Sequence, residues 1–133
     1  MTIHEDKTAE VEWHDAHVRE VRALPKGEVV VDFVHLVVLR VKDEQILETW
    51  SYSAALKLSG VTEFSIAGTW EETEFVSDGK LMDGTSEHSL LQSLRAGISA
   101  TSFELEFSAN GARLRAACTN AQLRELVPVE RLE

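Results

Sequence analysis

Two histidines and an aspartate cluster once in this sequence, at Trp13-His14-Asp15-Ala16-His17, and metal chemistry would be sought there first. Two imidazoles and a carboxylate in so short a span, His14, Asp15 and His17, suit a divalent ion such as zinc. In an extended backbone His14 and His17 point to opposite faces, so a third ligand has to come from His35 or His4. The competing reading is architectural: Asp15 caps a turn through its own backbone while Trp13 packs onto a sheet.

A second candidate group is acidic. Glu63, Glu71, Glu72, Glu74, Asp78, Asp83 and Glu87 share their stretch with a single lysine, Lys80, and Trp70 and Phe75 are interleaved among them. Asp78 to Asp83 lacks the alternate-position ligands of a calcium loop, so a basic protein partner is the better fit. Carboxylates speed encounter and aromatic rings anchor it, which makes Trp70, Glu71, Glu72, Glu74 and Phe75 the candidate binding residues. The competing reading is a solvated edge whose charge discourages strand addition. If that edge is open instead, it can join two copies as a homodimer.

His35 stands on the apolar face of a long strand, where a hydrogen-bonded histidine that resists protonation is expected. Cys118 falls on the inner side of a hairpin and reads as inert packing. A lone cysteine forms no internal disulfide, which fits the reducing cytoplasm. The sequence has no G-x-S-x-G elbow, phosphate-cradling glycine loop or C-x-x-C, so no cofactor is implied. An enzyme, metal-dependent or small-ligand-binding, would have to be built on His14, Asp15 and His17.

The formal net charge of −10 over 133 residues disfavours nucleic acid and anionic lipid, both of which need clustered Lys and Arg. The N-terminus has neither a basic nor an apolar signal region, and no stretch reaches the roughly 20 apolar residues of a spanning helix. Residues 1–12 read as a loose arm and residues 13–133 as one domain, long enough to bury about two-thirds of its unfolded surface.

The elements that must position these residues are mostly strands. Ala16 to Leu24 turns at Pro25-Lys26-Gly27 into the apolar run Glu28 to Val41. In that run the odd positions from Val29 to Val41 define a core face, while Val34, Leu36 and Val38 leave an apolar middle on the other face that needs a cover. A run of about 40 Å should also contain a bend or bulge. Ile46 to Leu58 and Val61 to Ala67 read as strands, and Thr69 to Gly84 as an irregular exposed edge with turns at Asp78-Gly79 and Asp83-Gly84. Ser86 to Ala96 has the spacing of a short helix that sets Leu90, Leu91 and Leu94 on one stripe to cover the strand, with Gly97 as its stop. Asn110-Gly111 suits a two-residue turn pairing Ala109 with Ala112, Phe107 with Leu114 and Glu106 with Arg115. The tail after Cys118 suggests one or two helical turns capped by Asn120 and ending before Pro128.

Together W-H-D-A-H-V-R-E-V, the long apolar strand, L-K-L-S-G-V-T-E-F and F-E-L-E-F-S-A-N-G-A-R-L-R-A-A-C resemble an uncharacterised group of small bacterial proteins. That resemblance carries no assigned activity. In size and charge the chain is also similar, more loosely, to immunity proteins of toxin systems. The expected fold is α+β and mostly antiparallel β, a rolled sheet forming a partial barrel or sandwich with one or two short helices. The expected role is a cytoplasmic protein-interaction domain.

Overall fold

Alternating apolar residues and tight turns build three long strands in succession, β1 (Ala9–Leu24), β2 (Glu28–Lys42) and β3 (Gln45–Ser59). The computed structural model describes residues 6–108 and 111–132. After β3 come β4 (Glu63–Ala67), β5 (Val76–Asp83), β6 (Ser86–Glu87), helix α1 (Leu91–Ala96), β7 (Ile98–Ser99), β8 (Ser102–Phe107), β9 (Arg113–Ala117) and β10 (Asn120–Leu132). They form two antiparallel five-stranded sheets, ordered β1-β2-β3-β10-β7 and β4-β9-β8-β5-β6. The first sheet curls into a half-barrel, and one core cluster joins it to the second. The mostly antiparallel β class is therefore the observed one.

β1 starts at Ala9 rather than beyond residue 12, because Ala9 and Val11 are apolar and fully inside. Its hairpin with β2 turns at Pro25-Lys26-Gly27, with positive φ at both Lys26 and Gly27. The bulge expected in the apolar run is present: Val34 and His35 together oppose Ser53, between the pairs Phe33↔Ala54 and Leu36↔Tyr52. It changes which side chains face inward. Val29, Val31 and Phe33 belong to the core before it, Leu36 and Val38 after it. Period-two alternation carried through the bulge had placed Val37 and Leu39 inward and left Leu36 and Val38 needing cover. The phase shift buries them directly, and α1 packs against β10 and β1 instead.

The stretch Thr69 to Gly84 is irregular and largely exposed as far as Phe75, but from Val76 it becomes β5, which pairs with β8 and, at Met82 and Asp83, with β6. Asp83-Gly84 is a turn, but Asp78-Gly79 lies inside β5. Gly79 is there for space: a Cβ would sit 2.6 Å from Trp13 Cβ and 2.7 Å from Leu105 Cδ2. The expected helix is shorter than its apolar spacing suggested, because Ser86 and Glu87 are a strand and Leu90 is exposed; Leu91 and Leu94 are buried, and Gly97 ends the helix.

The hairpin of β8 and β9 keeps its expected faces but pairs two residues away from the expected register. Leu105 opposes Leu114 and Glu106 opposes Arg113, and the Phe107 N–H donates to the Ala112 carbonyl. The loop is thus four residues rather than two; the Ala109 and Asn110 part of the expected turn lies outside the described residues. The tail is a strand, not a helix. β10 pairs with β3 through register shifts between Arg124 and Val127 and between Pro128 and Glu130, with Glu125 at positive φ. β7 covers its other edge only at Asn120 and Ala121.

Two substitutions test these backbone constraints by urea unfolding. Gly79→Ala is expected to lower stability by about 1–3 kcal/mol, since a methyl is forced against packed side chains. At the Asp43-Glu44 turn both residues have positive φ, and Glu44→Gly should raise stability by about 0.5–1 kcal/mol by removing the left-handed penalty.

Candidate functional site

The Trp-His-Asp-Ala segment is an excursion of β1. The ladder to β2 runs to the pair Glu12↔Val37 and resumes at His17↔His35, so Trp13 to Ala16 oppose Leu36 alone. Asp15 takes a φ of 69° to make this possible. Trp13 and Ala16 drop into the core, and His14 and Asp15 are left outside. The Trp13 ring meets Phe33 of the first sheet at 5.7 Å and Phe103 of the second at 5.1 Å. His14 Nδ1 lies 3.3 Å from the Asp15 carboxylate, with both side chains more than half exposed.

His17 has a different neighbour. Its ring centroid is 5.2 Å from that of His35, whose Nδ1 is 2.5 Å from the Ser51 hydroxyl. Ser51 is 2% exposed and was not singled out from sequence; its one signal is that it alternates with the inward residues Trp50 and Tyr52. Among the described residues no three His, Cys, Asp or Glu side chains are grouped to hold a metal ion. His4, the other third ligand considered, lies outside them.

The acidic segment meets this excursion. His17 and Phe75 form an isolated antiparallel bridge, His14 stands 6.5 Å from Phe75 ring to ring, and Arg19 reaches Glu72 at 3.8 Å. Trp70 is not the surface anchor expected of it. Its Nε1–H donates to the Val18 carbonyl at 3.2 Å, and its ring stacks on Phe107 at 4.4 Å, so it fastens the loop to the barrel. Glu74 is also partly withdrawn, with Oε2 buried and unpartnered. Glu71, Glu72 and Phe75 remain outside, Phe75 at 42% exposure. Two candidate groups that are about 55 residues apart in sequence therefore make one surface.

No family model matches the chain, and no curated protein matches it.

Burial, full at Cys118 and partial at His35, shifts the protonation of two groups. Burial pushes the Cys118 thiol up, in keeping with inert packing, and its Sγ approaches the Ala100 carbonyl at 3.7 Å. Burial, then the neighbouring His17, holds His35 below its usual 6.5, against the opposing pull of Asp15 and Glu130. The folded protein thus keeps His35 neutral where the unfolded chain already binds a proton. Stability from this group is complete above pH 6.5 and falls as pH drops below it toward the folded value. Thermal unfolding of His35→Gln against wild type should show a shallower loss between about pH 6.5 and pH 5 in the variant. Parallel curves would mean that His35 titrates freely.

Proposed function

We propose that the chain is a cytoplasmic protein-interaction domain that binds a basic protein through the surface where the β1 excursion meets the acidic loop. Its contact residues are Phe75, Glu71 and Glu72, with His14 and Asp15 beside them. The observation that carries this reading is the exposed Phe75, set against His14 and flanked by carboxylates. An exposed ring supplies apolar contact area, while the surrounding charge selects a positive partner and accelerates its approach. The net charge of −10 extends the same field over the molecule. An immunity-like role, in which a small acidic protein covers a basic toxin, is in keeping with this chemistry. The buried free thiol of Cys118 is in keeping with a reducing compartment.

Glu74 is left unchanged in the test because its buried oxygen ties it to the fold. Affinity capture from the native host, quantified by mass spectrometry, should enrich basic proteins on the wild-type chain. Phe75→Ala with Glu71→Lys and Glu72→Lys should reduce that capture by about tenfold or more, as loss of an aromatic anchor does. An enriched basic protein that the triple variant retains in full would refute the assignment of the surface.

A further inference from the structure

Among the described residues Ser51 is the only polar one that is buried, and its hydroxyl serves a histidine, lying 2.5 Å from His35 Nδ1. His35 in turn stands directly opposite His17 across the β1–β2 ladder, with the ring centroids 5.2 Å apart. Both strands are irregular at this pair, because β1 regains its ladder at His17 and β2 carries its bulge at Val34 and His35. Bulges re-aim side chains, and here they bring two imidazoles from neighbouring strands together.

Neither ring is used up by the fold. Among the described residues His35 Nε2 and both His17 nitrogens have no hydrogen-bond partner, and none of the three is sealed from solvent. The separation of the rings also has a chemical meaning. Two imidazoles that share one tetrahedral ion, each through a nitrogen about 2 Å from it, have centroids roughly 5 Å apart. Ser51 adds the outer partner that such a ligand needs. His35 Nε2 can take an ion only when the ring proton is on Nδ1, and the Ser51 oxygen is placed to accept that proton, which fixes both tautomer and ring orientation. The carboxylates of Asp15 and Glu130 favour positive charge at the same ring.

We infer that His17 and His35 bind one divalent ion of the zinc or copper class, through His35 Nε2 and one His17 nitrogen, with water in the remaining positions. Two protein ligands make an open site, consistent with there being no group of three ligating side chains among the described residues. The pair differs from the set expected from sequence, since His14 stands against Phe75 and His35 takes its place. An ion here joins β1 to β2 where both strands are irregular, beside the His17↔Phe75 bridge that holds the acidic loop. Binding that depends on this folded arrangement stabilises it.

The test is a titration of the 15N-labelled full chain with zinc chloride at about pH 7.5, where free imidazoles are neutral, following the histidine ring nitrogens. His35 Nε2 and one His17 nitrogen should shift together, while His35 Nδ1 keeps its proton and the His14 ring stays unmoved. Zinc at about 1 mM should also raise the melting temperature by several degrees. His17→Gln and His35→Gln should each weaken zinc binding by about tenfold or more, and Ser51→Ala, which keeps both ligands, by about tenfold. The ring shifts of the unmutated chain report on the site whether or not a variant folds. Shifts centred on His14 and Asp15, or equal affinity in a folded His17→Gln variant, would overturn the assignment. Unmoved His17 and His35 rings at about 1 mM zinc would overturn it as well.

Discussion

The packing of Trp13 between the two sheets is the constraint on which the rest of the structure depends. Its ring touches Phe33 on one side and Phe103 on the other, and its Cβ leaves room for nothing larger than glycine at position 79. To deliver so large a side chain inward, β1 leaves its ladder with β2 for four residues and puts Asp15 in the left-handed region. A local departure of this kind is unfavourable, and it persists because burial of the indole and of Ala16 outweighs it. His14 and Asp15 are expelled as a consequence of the same geometry. The exposed polar pair and the buried aromatic are two sides of one bulge.

Much of the architecture was legible in the sequence because period-two alternation and turn residues report directly on strands. The β1–β2 hairpin, the strand character of residues 46–58 and the faces of β8 and β9 all follow from such patterns. The failures have a common cause, which is that a bulge changes phase without changing composition. Val34 and His35 look like two more strand residues, yet opposing them to one partner reverses every side chain that follows. Asp78-Gly79 has the chemistry of a turn, but its glycine answers a contact made by a residue 66 positions away. In β10, Asn120 and Pro128 suggested a capped helix, whereas pairing with β3 decided the matter in favour of a strand.

The candidate site was legible in parts and not as a whole. His14, Asp15 and His17 attract notice by type, and Glu71, Glu72 and Phe75 by composition. Their meeting depends on the bridge between His17 and Phe75, a long-range pairing with no local signature. Trp70 shows the converse problem. An aromatic among carboxylates reads as a surface anchor until a β1 carbonyl that accepts from its indole N–H, and the face of Phe107, give it an interior role. Ser51 offered little beyond its place in the alternation, yet it is the partner that lets His35 sit away from water.

The shape of β10 bears on how the molecule behaves in a crowded solution. From Leu123 onward no strand among the described residues pairs with its outer edge, and Val127 and Val129 are both exposed. A straight strand with that composition would template the addition of further chains and seed fibrils. Two register shifts, a proline and the charges of Glu125, Glu130 and Arg131 break its straightness and its run of donors. These features work against backbone pairing between copies at this edge, and so against open-ended polymerisation.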